Sequence, residues 1–242
     1  MRIMSPETVY RIYPIHVGTI IRPKSNMIYM KGEDIRCEFP LIIWYVTDGQ
    51  RNILVDTGGT PPDGRYMPYA CPQEQYPEVA LRAAGVDPDA VTDVILTHLH
   101  WDHAGNNHLF KNAVFYVQRK ELQYAAAPLK VHEGSYDKQI IFETTYRILD
   151  GDSDILDGIS VITTPGHSPG SQSVIVRTCS GAYVLAGDLI GLYECMEYDP
   201  MAINSIHTDL FSYYKSLDRI KRMGCSVLPG HDFRVLDKKC YP

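Results

Sequence analysis

Between Thr97 and Gly105 the chain reads THLHWDHAG, with three histidines and an aspartate inside six consecutive positions. They follow directly on Val94-Ile95-Leu96, an apolar run typical of a buried strand. Imidazoles and a carboxylate crowded at the edge of a core are costly unless something pairs them, and a divalent cation removes that cost. His98 and His100 stand at i and i+2, so an extended backbone turns both rings to one side, where they can grip one ion. Asp102 and His103 follow on the turn and face a slightly different point. Four ligand-type residues with two aims suggest two metals. Trp101, inside the same motif, is read as packing against the helix that comes next.

Further ligands are expected at other strand ends. Thr164-Pro-Gly-His167-Ser-Pro-Gly170 sets His167 in a rigid Pro/Gly turn, Leu185-Ala-Gly-Asp188 ends a strand on a carboxylate, and Pro229-Gly-His231 places an imidazole after the last strand. Together with the first cluster they make a site of five histidines and two aspartates. His16, His132 and His207 match no such position and are assigned to packing or the surface; His108 is close enough in sequence to the cluster to stand behind it.

Strands must deliver these side chains, and the pattern supplies them. Val9–Ile21 is rich in β-branched and aromatic residues, and Leu41–Val46 and Asn52–Val55 flank the hairpin signal Asp48-Gly49. Asp56-Thr57-Gly58-Gly59 then forms a tight turn. Val91–Thr97 carries the histidine cluster, and Val114–Gln118 leads into a helix over Arg119–Ala126 that Pro128 stops. Strand character returns from Ile148, with Ile159–Thr163, Ser173–Arg177 and Ala182–Ala186. A short helix over Glu78–Ala84 ends at Gly85. A third helix starts at the cap Asp209 and stops at Gly224, with Leu210, Tyr214, Leu217, Ile220 and Met223 as its core stripe. Gly59–Pro77, with five prolines interleaved with Tyr66, Met67, Tyr69 and Tyr76, is a long loop that either lines a substrate mouth or packs on itself.

No Gly/Ser or charged linker divides the chain. Two sheets packed face to face with helices outside satisfy the order of elements, so residues 1–242 are expected to form one α/β domain. The 242 residues are 45% hydrophobic and 21% charged, a globular composition. A net charge of -6 argues against a nucleic-acid surface. No run approaches a membrane span and no signal peptide is apparent, which leads to an expectation of cytoplasmic residence. The six cysteines are scattered singly and are read as reduced packing thiols.

H-x-H-x-D-H at 98–103, then PGHSPG, GD and PGH in that order, resembles the metallo-β-lactamase superfamily from about Asp56 to His231. The resemblance implies an αββα sandwich of two mixed β-sheets flanked by helices, with two divalent metal ions at one edge. It implies that His98, His100 and His167 hold one ion, that Asp102, His103 and His231 hold the other, and that Asp188 bridges them. Asp56, in VDTG, resembles a carboxylate that orients a ligand histidine by accepting its far N–H.

Two such cations lower the pKa of a shared water and polarise a carbonyl, so the expected reaction is hydrolysis, with Asp102 as proton shuttle. The wording of HLHWDHAGN and TPGHSPGSQS is most similar to the N-acyl-homoserine lactone hydrolases, a quorum-quenching group that opens a ring ester to a hydroxy acid. Those lactonases carry a tyrosine three residues after the bridging aspartate, where it bonds the lactone carbonyl; here that position is Gly191. Tyr193, two residues on, either substitutes as a catalytic residue or packs. The alternatives are a glyoxalase-II-like thioesterase and a mononuclear-iron sulfur dioxygenase. The implied substrate is a small lactone or ester, with no nucleic-acid or membrane partner and with a homodimer left open. Zinc is the first expectation for the metal, and manganese, iron and cobalt suit the same ligands.

Overall fold

The computed structural model describes residues 7–60 and 69–242. One sheet holds β1 (Arg11–Pro23), β2 (Arg36–Thr47), β3 (Ile53–Val55), β4 (Tyr69–Ala70), β5 (Asp93–Ile95), β6 (Val114–Gln118) and β7 (Tyr146–Leu149). Its strand order is β4-β1-β2-β3-β5-β6-β7, antiparallel as far as β3 and parallel beyond it. The second holds β8 (Ser153–Leu156), β9 (Ile159–Thr163), β10 (Gln172–Thr178), β11 (Gly181–Leu185) and β12 (Ser226–Leu228), ordered β12-β11-β10-β9-β8. Only β11 and β12 run parallel there. The helices are α1 (Pro77–Ala83), α2 (Trp101–Ala104), α3 (Arg119–Ala126), α4 (Lys138–Glu143) and α5 (Leu210–Met223).

Side-chain alternation along the central strands explains the layers. From β2, Ile42, Trp44 and Val46 join an apolar cluster with Val161, Val174, Val176, Leu185 and Leu228 of the second sheet. Leu41 and Ile43, pointing the other way, join a second cluster that includes Leu81 of α1 and Ala125 of α3. The same cluster takes Tyr213, Leu217 and Ile220 of α5 against Ile162 and Val184 of the second sheet. Strands buried on both faces read as continuous apolar runs, which is why Val94-Ile95-Leu96 lacks a polar alternation. The result is an αββα sandwich of two mixed sheets.

Helix α5 begins where Asp209 accepts from the N–H groups of Phe211 at 2.9 Å and Ser212 at 3.2 Å, and Gly224 closes it at φ 63°. Its buried face is Tyr213, Ser216, Leu217 and Ile220, whereas Leu210, expected in the core stripe, is exposed. Four short elements, α2, α4, β4 and β8, have no counterpart among the elements expected from sequence. The stretch 59–77 is not irregular throughout, because β4 pairs with β1 through Thr19↔Ala70 and Ile20↔Tyr69. Tyr66, Met67, Pro61, Pro62 and Pro68 lie outside the described residues. Among the described residues no helix is long and apolar enough to cross a membrane.

Strand direction is what gathers the ligand-bearing loops. β3 and β5 are parallel neighbours, and β9 and β11 both run opposite to β10 and so in the sense of β12. Each sheet therefore releases its chain after these strands at one edge, and Asp56, the 98–103 motif, His167, Asp188 and His231 all come just after such releases.

Candidate metal centre

At that edge the seven expected ligands come together. Ligand atoms of His98, His100 and His167 lie within 4.8 Å of one another, as do those of His98, His103 and Asp188, and those of Asp102, His103 and His231. Asp188 sits between the groups: Oδ1 is 2.8 Å from His231 Nε2 and 3.0 Å from His103 Nε2, while Oδ2 is 3.3 Å from His167 Nε2. The motif turns at His100, which caps α2, so that Asp102 and His103 point from a helical turn rather than from an extended strand.

The far ring nitrogens are fixed by the protein, which leaves the near ones for an ion. Nδ1 of His167 is 2.7 Å from the carbonyl of Ile206, and Nδ1 of His231 is 3.0 Å from that of Pro40. Nδ1 of His103 faces Asp56, which also accepts from the Thr97 N–H at 2.7 Å. Nε2 of His98 and Nε2 of His103 are buried with no aligned hydrogen-bond partner among the described residues. His100 Nδ1 and His167 Nε2 face each other at 3.0 Å. Orphaned buried nitrogens aimed at a shared point are the pattern a cation resolves, and the all-His/Asp donor set suits a pair of divalent ions.

Electrostatics fit that donor set at His98, His100 and Asp188. Burial, reinforced by neighbouring imidazoles, holds His98 and His100 well below the ordinary histidine range, so both are neutral and ready to ligate. Burial alone would raise the Asp188 carboxyl, but His231, His103 and His167 outweigh it and keep it well below the usual carboxylate range. Burial opposes charge on His103 too, yet Asp188 and Asp56 on its two sides raise it well above the ordinary value.

Two residues without a motif adjoin this arrangement. Glu121 of α3, fully buried, accepts from the N–H of Leu99 at 3.1 Å, from the N–H of Gly170 at 3.1 Å, from Ser168 Oγ at 2.6 Å and from Tyr136 at 3.4 Å. It thus ties the first histidine loop to the His167 loop. Gly170 is required for this approach, since a Cβ there would run into the Glu121 backbone. Asn204 is buried beside Asp188, with Nδ2 3.4 Å from Asp188 Oδ2. A carboxylate within Arg119-Lys120-Glu121 and an asparagine in a loop carry no spacing signal, so neither could be found from sequence.

A cavity of about 380 Å³ opens over the centre, lined by His100, Asp102 and Asp188 with Ile20, Val131 and Ile206. A larger cleft of about 580 Å³ lies beside β8 and β9, away from these side chains. Several expectations need correction here. The Tyr193 side chain is not brought to the centre: its ring lies 4.8 Å from the Arg234 guanidinium and its N–H is bonded to Asp232. Trp101 packs against Tyr69, with ring centroids 5.1 Å apart, and over Gly59. Tyr69 is therefore buried beneath a cavity residue, and neither it nor Tyr76 lines the cavity. His108 is exposed and does not stand behind the cluster. His16 bonds the Gly18 carbonyl at 2.8 Å and His132 meets the Tyr124 hydroxyl at 2.6 Å, both packing roles. His207 packs edge-on against Tyr29.

Known proteins are similar to this chain over nearly its full length. An N-acyl homoserine lactonase of Bacillus thuringiensis is 30% identical, over 96% of this chain and 97% of its own. A quorum-quenching N-acyl homoserine lactone hydrolase of known crystal structure superposes with a TM-score of 0.81 at 28% identity, covering 94% of each chain. An N-acyl homoserine lactone hydrolase with N-hexanoyl-L-homoserine bound at its catalytic metal centre gives a TM-score of 0.81 at 27% identity, over 95% of this chain and 96% of that one. Such relatives favour neither a thioesterase nor a dioxygenase. The model of the metallo-beta-lactamase superfamily matches residues 42–231, spanning every residue of the centre, and the chain belongs to that superfamily.

Proposed function

We propose that the protein is a lactonase that opens the ring ester of an N-acyl homoserine lactone, or of a lactone of similar size, to the hydroxy acid. The observation that carries this reading is the convergence of seven His/Asp ligands, three of which, His100, Asp102 and Asp188, line a cavity of about 380 Å³. Full-length similarity to N-acyl homoserine lactonases supports it. We assign His98, His100 and His167 to one divalent ion, Asp102, His103 and His231 to a second, and Asp188 to both, with zinc as the first choice of metal. When bound, such ions supply acidified water and a polarised carbonyl.

The chain's own residues do the rest. Asp102, whose side chain is 13% exposed and lines the cavity, takes a proton from the incoming water and returns it to the departing ring oxygen. Asp56 keeps the His103 ring from turning, and Ile206 and Pro40 do the same for His167 and His231 through their carbonyls. Ile20, Val131 and Ile206 form an apolar wall suited to an acyl chain, and the cavity is roomy enough to shelter the ring from bulk water.

The chain is further proposed to act as one domain over residues 1–242, in the cytoplasm and without a nucleic-acid or membrane partner, as a monomer or homodimer. The test is a hydrolysis screen of lactones, thioesters and phosphodiesters on metal-replete protein, with elemental analysis alongside. Lactone opening with about two equivalents of metal is expected. Preference for thioesters, or a single iron with oxygen uptake, would replace the reading.

A further inference from the structure

Gly191 leaves the site without the hydroxyl that the resemblance would put there, and Tyr193 does not supply it. A Cβ built at Gly191 meets only the Met27 thioether, at 3.2 Å, so Met27 stands where a side chain from that position would enter. Met27 cannot donate a hydrogen bond. The cavity nevertheless holds a neutral donor next to Met27 and Asp188, namely Asn204.

Asn204 is anchored on every side but one. Its N–H donates to the Tyr213 hydroxyl at 3.2 Å, its carbonyl is 3.1 Å from His207 Nδ1, and its Oδ1 accepts from the Ile206 N–H at 2.9 Å. That last bond sets the amide's orientation, turning Nδ2 toward the cavity. The Tyr213 hydroxyl that holds the Asn204 backbone also donates toward the carbonyls of Asp188 at 2.7 Å and Leu189 at 2.9 Å, so Asn204 and Asp188 share one rigid support. Among the described residues Nδ2 itself has two long contacts, 3.4 Å to Asp188 Oδ2 and 3.8 Å to Met27 Sδ. A side chain 4% exposed, lining the cavity with a two-proton donor so loosely matched, is poised for a better acceptor.

We infer that Asn204 is a catalytic residue whose Nδ2–H donates to the carbonyl oxygen of the substrate, in the role left open at Gly191. The inference rests on the ester-hydrolase reading above. As water adds to the carbonyl carbon, the carbonyl oxygen takes up negative charge. When the ring C–O bond breaks, that charge returns to a carbonyl, and the ring oxygen leaves with its electron pair and accepts the proton carried by Asp102. Lactone and water become one hydroxy acid, with no change of oxidation state. A donor fixed in advance at the oxygen that gains charge helps most at the transition state, so its loss falls on kcat rather than KM.

The test compares wild type with Asn204→Ala, both metal-replete, on N-hexanoyl-homoserine lactone and on p-nitrophenyl acetate, with metal content measured on the same samples. The expected result is a fall in kcat of about 10²-fold with KM little changed and metal retained. An unchanged kcat overturns the inference, and so does a fall that tracks lost metal, which would make Asn204 a support for Asp188. Wild type active on the aryl ester but inert toward lactones would sink the lactonase reading alone, with Asn204 still tested on the ester. Inertness toward both sinks both. Should the variant not fold, wild-type protein crystallised with N-hexanoyl-L-homoserine decides: a product oxygen about 3 Å from Nδ2 supports the role, and none within reach removes it.

Discussion

Asp56 Oδ2 stands 2.7 Å from Nδ1 of His103, and the same carboxylate accepts from the backbone N–H and the hydroxyl of Thr97. One side chain thus joins the end of β3 to the end of β5 and aims a ligand ring. Its backbone, at φ 63°, occupies the left-handed region that non-glycine residues seldom adopt. Strain of that kind persists where surrounding bonds over-determine it, here the three from Thr97 and His103.

Asp56→Asn keeps the size and one acceptor but weakens the grip on the His103 N–H. Metal affinity is expected to fall about 10- to 100-fold with the fold retained. Competition against a chromophoric chelator measures it, and unchanged affinity would show that His103 is held by something else.

Glu121 gives a prediction of a different kind. Glu121→Ala orphans the buried N–H groups of Leu99 and Gly170 and leaves the Ser168 hydroxyl unmatched, so a loss of about 3–5 kcal/mol is expected in urea unfolding. Burial pushes the Glu121 carboxyl up from its ordinary 4.5, against the pull of its donors. The native state then holds this proton more tightly than the unfolded chain. Its contribution to stability is therefore full below that ordinary value and is lost as pH rises through the raised one. Glu121→Gln should flatten that part of the stability profile; an unaltered slope would assign it to other groups.

The ligands themselves are legible in the sequence because each sits in a short local motif at the end of an apolar run. Asp56 is legible for the same reason. Asn204, Met27 and Glu121 are not, since their roles arise only when distant segments meet. Boundaries slip where function intervenes: β5 is shorter than Val91–Thr97 because the Thr97 N–H goes to Asp56 instead of a ladder partner. The apolar stripe that periodicity gives for α5 holds at Leu217 and Ile220 but misses Tyr213, which is turned inward to bond the carbonyls of Asp188 and Leu189. Periodicity alone treats that tyrosine as a solvent-facing position.

Removing metal should be felt by the whole fold. Without ions, buried ring nitrogens lie within 4.8 Å of one another and two of them have no aligned partner. Ions held at about a thousand times their Kd add roughly 4 kcal/mol, which for a chain of this size is on the order of 10 °C in melting temperature. Calorimetry before and after exhaustive chelation should show that drop, with recovery on adding zinc. A melting point indifferent to chelation would mean the centre binds ions too weakly to support the assigned chemistry.

Tyr193 offers the sharpest check on how the lactonase tyrosine is replaced. Its side chain stacks on Arg234 and packs among residues between the sheets, on a segment pinned by the bond from its N–H to Asp232. Reaching the cavity would require breaking that bond and withdrawing the ring from its apolar surroundings, at a cost of several kcal/mol. Tyr193→Phe removes only the hydroxyl and keeps the stacked ring. It should therefore leave kcat/KM within about twofold of wild type, with a stability change of about 1 kcal/mol or less. Steady-state kinetics on a lactone substrate decide the point: a loss of tenfold or more in kcat would mean the 191–193 loop rearranges when substrate binds and delivers this hydroxyl after all. Unchanged kinetics, alongside the loss expected for Asn204→Ala, would assign the carbonyl donor to the segment leading into α5 rather than to the loop after Asp188.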